Sequence, residues 1–348
     1  MTIRLSAVRK LFGSHAAVDG VSLDIDDGEF FVVLGPSGCG KSTLLRAIAG
    51  LEAIDAGEIE VGGRRVAAPG LHVPPEARKV GVVFQSYALW PHMSVRQNVA
   101  FPLETAGASR TEVESRTRAC LATVELTAFA DRKPADLSGG QRQRVALARC
   151  LAQAAGTILM DEPLANLDPH LRHAMEEELA AFHAKSGSTT LFITHDQREA
   201  MALADRVALM WDGRLLQADS PDRLYERPAN ERVAGFIGRG TIVDARIEDA
   251  SGGRAGVSWA GLTFEVAAPA DARPGACRLL LRPEQFSIAP VGEGMIAEVT
   301  RATYRGGYFE TDVRVAATGT SLLVNLPGRP TVGEGLTLRP TGGWVLPD

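Results

Sequence analysis

Phe30-Phe31-Val32-Val33-Leu34-Gly35-Pro36-Ser37-Gly38-Cys39-Gly40-Lys41-Ser42-Thr43 is an apolar run that stops at a glycine-rich turn and resumes as a polar, helix-compatible segment. Five apolar residues in a row suit a strand buried on both faces. The spacing from Gly35 to Ser42 is that of a phosphate-binding loop, in which glycines let backbone N–H groups curl around an anion and a helix N-terminus adds positive potential. Lys41 is placed to neutralise charge on β- and γ-phosphates, and the Ser42 hydroxyl suits a Mg²⁺ ligand. The spacing predicts a helix from Lys41 to about Ala49.

Working outward, Thr157-Ile158-Leu159-Met160-Asp161-Glu162 is an apolar strand ending in two carboxylates. Strand C-termini are where α/β sheets assemble sites. Asp161 suits Mg²⁺, usually held through water, and Glu162 is placed to polarise an attacking water as a general base. Leu137-Ser138-Gly139-Gly140-Gln141 reads locally as a capping box, with Ser at the cap and Gln three residues on. A helix start of that kind also presents N–H groups to an anion.

Strands expected at Val80 to Phe84, Thr189 to Thr194 and Arg206 to Met210 alternate with helices at Pro169 to Lys185 and Arg198 to Leu203. That alternation implies a parallel sheet with crossovers, so the fold class is α/β. Residues 87–152 read as a helical insertion. Beyond Gly238, short alternating runs such as Leu262-Thr263-Phe264-Glu265-Val266 and Thr311 to Val315 are punctuated by Gly and Pro, the signature of a small all-β domain. The expected division is therefore 1–238 and 239–348.

The 348 residues are 45% hydrophobic and 23% charged, with a net charge of -5, a soluble globular balance that argues against a nucleic-acid partner. Cys39, Cys120, Cys150 and Cys277 are too dispersed for a metal site or a disulfide framework. No stretch approaches the roughly 18 uninterrupted apolar residues of a transmembrane helix. Met1-Thr2-Ile3-Arg4 runs directly into a strand pattern without a signal-peptide core, so any membrane component is expected on another chain.

Taken together and in this order, the motifs resemble those of the ATP-binding-cassette ATPases, over about residues 1–238. The resemblance implies a P-loop NTPase (RecA-like) core, ATP and Mg²⁺ as ligands, and Gly35, Pro36, Ser37, Gly38, Cys39, Gly40, Lys41, Ser42 and Thr43 around the phosphates. It implies that Gln85 senses Mg²⁺ and the γ-phosphate, that His195 contacts the γ-phosphate and shapes the water site, and that Asp168 lies at a dimer interface. It also implies that Ser138, Gly139, Gly140 and Gln141 engage nucleotide held by a second copy. Phe12 stands where the family places an aromatic against adenine; packing in the core is the alternative. The region after 240 resembles the OB-like accessory (TOBE) domain of importer-type cassettes through Arg282-Pro283-Glu284 and Tyr304-Arg305-Gly306-Gly307.

The expectation is thus the ATPase subunit of an importer, a homodimer peripheral to the cytoplasmic face of the plasma membrane. It would serve two permease chains, contacted near Gln85 to Met93, and indirectly an extracytoplasmic solute-binding protein. Ferric iron, polyamine and phosphonate are the leading cargo classes, with sugar next. A soluble cassette ATPase of DNA repair or translation and a regulatory protein that holds ATP without useful turnover are the rivals. Tyr87 to Met93 either receives a permease helix or packs within the helical insertion. Cys39, beside Lys41 and a helix N-terminus, is expected to have a lowered thiol pKa, with a buried inert thiol as the alternative.

Overall fold

The computed structural model describes residues 1–347 apart from 85, 154 and 166–168, and omits the side chain of Leu171. Two compact units divide the chain, Met1–Pro221 and the part from Asp222 onward.

The first unit holds two sheets around one helix. In the larger sheet the spatial order is Arg214–Asp219, Arg206–Trp211, Phe30–Leu34, Thr189–Thr194, Thr157–Asp161, Val80–Val83. All neighbours run parallel except the Arg214–Asp219 edge, which returns antiparallel on Arg206–Trp211. The strands Phe30–Leu34, Thr157–Asp161 and Thr189–Thr194 are buried at every position, as both-face coverage by helices and a second sheet requires. The smaller sheet is antiparallel, in the order His15–Ile25, Ile3–Phe12, Ala56–Val61, Arg64–Ala68, Leu71–His72.

Helix Lys41–Ala49 begins and ends where the spacing predicts. Its Leu44, Leu45 and Ile48 join Leu5, Val21 and Ile59 of the small sheet and Phe31, Leu159 and Ile193 of the large one in a single core. The phosphate-type loop is thereby fixed between two sheets. The insertion is helical at Val95–Thr105, Arg110–Thr123 and Gly139–Ala152.

The second unit has a closed five-stranded barrel, Thr241–Ser251, Arg254–Trp259, Leu262–Ala267, Trp344–Val345 and Gly275–Leu281. A further five-stranded sheet, Phe286–Ile288, Gly335–Pro340, Met295–Tyr304, Phe309–Val315 and Ser321–Leu326, shares its core.

The division lies ahead of the expected boundary at 238, and Arg282 supplies the reason. Its guanidinium, only 2% exposed, lies 4.1 Å above the Tyr225 ring. Nη1 donates to the carbonyls of Ile237 (2.8 Å) and Arg239 (3.1 Å), and Nη2 to that of Tyr225 (2.7 Å). These carbonyls close the short helices Pro221–Glu226 and Glu231–Phe236, so a cation on the barrel satisfies both helix ends. Burial holds the Arg282 guanidinium below its usual pKa, and the carbonyl oxygens and ring face offset the lost hydration. Partial burial, and the Glu284 carboxylate to which it donates at 2.8 Å, push the Tyr225 hydroxyl up to about 12. Arg282→Met should destabilise this unit by about 3 kcal/mol, because several charge-assisted hydrogen bonds are lost and their acceptors stay buried. Hydrogen exchange on the full chain reads this directly. Unchanged protection of the Thr241–Ser251 and Gly275–Leu281 strands in the variant would refute the assigned role.

Candidate nucleotide site

The loop between Phe30–Leu34 and Lys41–Ala49 depends on two glycines. A Cβ on Gly40 would lie 1.9 Å from the Ala17 carbonyl oxygen, and Gly40 takes φ 101°, open only to glycine without strain. A Cβ on Gly35 would lie 2.2 Å from the Met210 carbonyl oxygen. The loop is therefore pressed against the small sheet and the neighbouring strand, with no room to carry side chains at these points. No side chain caps the helix that follows, and its first turn has no acidic residue, so the N–H groups there are offered to an anion. Lys41 is buried, and its Nζ donates to the carbonyls of Gly35 (2.8 Å) and Pro36 (2.9 Å). The ammonium thus lies over the loop rather than in solvent.

Three strand ends converge here. Ser42 Oγ donates to Asp161 Oδ1 at 2.7 Å, joining the helix start to the end of Thr157–Asp161. The next residue, Glu162, adopts φ 46°, a left-handed backbone rare outside glycine. Such strain is held only where the surroundings enforce it. The Glu162 N–H donates to the Ile193 carbonyl (3.0 Å), which pins the turn to the adjacent strand Thr189–Thr194. Its carboxylate Oε2 then lies 3.3 Å from His195 Nδ1. His195 is half exposed, so this pair faces solvent while Ser42 and Asp161 are more enclosed.

His195 is held by neighbours that the motifs did not mark. Thr194 Oγ1 donates to Glu199 and accepts from the Asp196 N–H (2.9 Å). Asp196 accepts from the Arg198 N–H (2.8 Å) and so starts the helix Gln197–Leu203. Arg172 bridges Asp196 (3.2 Å) and Glu199 (3.5 Å). An Asp followed three residues later by Glu before a helix is a legible cap signal, but nothing local announces Arg172.

Ser138 forms the full capping box: Gln141 N–H donates to its Oγ (3.3 Å), and its own N–H donates to Gln141 Oε1 (2.9 Å). Among the described residues, no hydrogen bond or ion pair links Ser138 to Gln141 with the phosphate-type loop, Asp161 or Glu162. Phe12 lies at the end of the hairpin strand Ile3–Phe12 and is 51% exposed, so it is not a core residue. Gln85 and Asp168 fall outside the described residues.

One expectation changes. Burial pushes the Cys39 thiol up, and the Lys41 ammonium, 3.9 Å from its sulfur, opposes this more weakly. The expectation of an activated thiol is overturned: desolvation outweighs the nearby cation. Within Tyr87 to Met93, Tyr87 is buried and packs inward, whereas Trp90 lies against Phe101 with 4.3 Å between ring centroids. Tyr87 and Ala88 both take left-handed backbone, φ 60° and 45°. Arg149, from helix Gly139–Ala152, holds that turn by donating to the carbonyls of Ala88 (2.7 Å) and Tyr87 (3.1 Å) while lying over the Trp90 ring.

Known proteins resemble this chain in sequence and fold. The ABC transporter family pattern matches residues 18–165, and that of the TOBE domain residues 279–346. The sn-glycerol-3-phosphate import ATP-binding protein UgpC of Paracoccus denitrificans is 46% identical over 305 residues, 88% of this chain and 84% of that protein. The spermidine/putrescine import ATP-binding protein PotA of Rubrobacter xylanophilus is 44% identical over 345 residues, 98% of this chain and 89% of that protein. Among solved structures, the dimeric ATP-binding cassette MJ0796 with ADP and phosphate is 32% identical, with a TM-score of 0.55, covering 63% of this chain and 98% of that one. With its phosphate-type loop, paired strand-end carboxylates and β-rich second unit, the chain belongs to the ABC transporter family, among its import ATP-binding subunits.

Proposed function

We infer that two copies of this chain close head to tail on two ATP molecules and hydrolyse them to ADP and phosphate, driving import through separate permease chains. The observation that carries this reading is the juxtaposition of Ser42–Asp161 with Glu162–His195 at the ends of adjacent parallel strands. The first pair is a hydroxyl and a carboxylate 2.7 Å apart, a hard-oxygen set that fits Mg²⁺. Bound there, Mg²⁺ would neutralise charge on the β- and γ-phosphate oxygens. Lys41 and the loop N–H groups hold the same phosphates. Glu162 orients a water in line with the γ-phosphorus and takes its proton, while His195 fixes the carboxylate and reaches toward the γ-phosphate. By the family's pattern, Gln85 and Asp168 complete the site.

Among the described residues, the Ser138–Gln141 helix start makes no hydrogen bond or ion pair to the phosphate-type loop of its own chain, which supports engagement of the nucleotide on the second copy. A groove of about 970 Å³ beside the strained turn is lined by Phe84, Trp90, Phe101, Leu103 and Arg149. Its apolar floor, with Lys79, Arg116 and Arg149 around it, suits a short amphipathic helix from a permease, with a solute-binding protein outside. The two relatives name different cargoes at nearly equal identity, glycerol phosphate and polyamine. That fits a subunit whose residues meet ATP and permease rather than cargo, and the proposed cargo classes stay ferric iron, polyamine or phosphonate, with sugar next. No described helix is long and apolar enough to cross a membrane, so a peripheral place on the permease's cytoplasmic face fits.

Dimerisation tests the arrangement. In size-exclusion chromatography with light scattering, the Glu162→Gln chain should run as a dimer with Mg²⁺-ATP and as a monomer with ADP. A monomer in both conditions would refute head-to-tail closure.

A further inference from the structure

The residue beneath the exposed Phe12 ring is a lysine. Lys10 and Phe12 are two apart on the strand Ile3–Phe12, across an irregularity in its pairing with His15–Ile25. Lys10 Nζ lies over the Phe12 ring, 5.1 Å from its centroid. Although Phe12 is 51% exposed, the Lys10 side chain is only 12% exposed and is anchored by Glu52 at 2.7 Å. An ammonium in this setting is partly stripped of water and fixed over the ring, while half of the Phe12 surface stays exposed.

Glu52 is itself well placed. It follows Gly50, the left-handed C-cap of the phosphate-loop helix, and its N–H donates to the Arg46 carbonyl (3.2 Å). Three residues on, Asp55 brackets the same strand: its N–H donates to the Arg9 carbonyl (2.8 Å), and its carboxylate accepts from the Leu11 N–H (2.6 Å). The segment 50–55 thus ties the Phe12 strand to the helix that starts at the phosphate loop.

We propose that Lys10, anchored by Glu52, is a positioning residue that backs Phe12 as a stacking platform for the purine of the bound nucleotide. The inference rests on the reading of Phe12 as the base contact. A cation on one face of an aromatic ring draws π density toward itself. The opposite face then repels the π cloud of a stacked purine less. Phe has no hydroxyl or indole N–H of its own, and the charged backing supplies polarisation that the ring lacks. The platform also keeps a fixed offset from the phosphate loop, because the same segment anchors both.

Equilibrium binding of ATP and of inorganic tripolyphosphate to the full chain tests this, since tripolyphosphate has phosphates and no base. Lys10→Met should weaken ATP binding about three-fold, in line with a partly desolvated cation–π contact, and leave tripolyphosphate binding unaltered. Lys10→Arg should restore ATP binding, because a guanidinium also lies over aromatic faces. Glu52→Gln should weaken ATP selectively and less than Lys10→Met. Phe12→Ala should weaken ATP about ten-fold, again without effect on tripolyphosphate. If Phe12→Ala acts selectively on ATP but Lys10→Met does not, the role of Lys10 is overturned while the base contact stands. If Phe12→Ala leaves the ratio of the two affinities unchanged, the base contact itself fails and the inference with it. Equal weakening of both ligands by Lys10→Met would show a general structural role and overturn the proposal.

Discussion

Glu162→Gln is expected to lower ATP turnover by at least about 100-fold, the scale of a positioned general base, while ATP binding stays within a few-fold of the parent chain. The amide matches the carboxylate in shape and can still accept a hydrogen bond, but it cannot take a proton from water. The left-handed turn at Glu162 is enforced by the Ile193 carbonyl and the neighbouring strand rather than by the carboxylate, so the turn should survive the change. Lys41, Ser42 and Asp161 keep their contacts, which in the proposed site hold the phosphates. Phosphate release measured at saturating ATP, paired with an equilibrium binding measurement, separates the two effects. Turnover within three-fold of the parent would remove Glu162 from the role of base.

Ser138→Arg should abolish turnover with little change in the affinity of the monomer for ATP. The substitution acts in three ways. It deletes the cap, worth about 1 kcal/mol of helix stability. It sets a guanidinium at the positive end of the helix dipole, an unfavourable pairing. It also fills the space through which a γ-phosphate on the second copy would approach. Ser138→Ala, which only removes the cap, should cost far less than the arginine. A matched pair of binding and turnover assays decides. If Ser138→Arg weakens ATP binding to the monomer in proportion to turnover, the motif acts within its own chain and head-to-tail sharing is wrong. If turnover is unchanged, the motif has no part in the site.

These expectations rest on segments of unequal legibility. Phe30–Leu34, the glycine-rich turn and Lys41–Ala49 are read correctly because every signal is local: hydrophobic run, steric freedom, helix-compatible residues. The same holds for Thr157–Asp161 and for the box at Ser138. Ala56–Val61 and Arg64–Ala68 were not legible, since their pairing with Ile3–Phe12 depends on chain brought from far upstream. Arg282 looked like part of a family motif. Its effect on the division between units arises from carbonyls 43 to 57 residues away. Cys39 shows the reverse failure: the sequence displayed the neighbouring lysine but not the burial that outweighs it. Lys10 and Glu52 drew no notice because a lysine on a strand and a glutamate after a helix are ordinary until the fold sets one over Phe12 and the other beside it.

The grip of Arg149 on the Tyr87–Ala88 turn has a mechanical consequence. Ser138 and Arg149 belong to one uninterrupted 14-residue helix and its cap, so at 1.5 Å per residue they stand roughly 16 Å apart along a rigid rod. One end of the rod is the proposed phosphate seat and the other is bolted to a turn beside the groove proposed to face the permease. A pivot of about 10° at the seat swings the far end by about 3 Å, by the geometry of a rod of that length. That is close to the width of an atom, enough to unseat a side chain from a groove. The helix is therefore a crank: its length sets the gain, and Arg149 is the pin that keeps the stroke from being lost as slack.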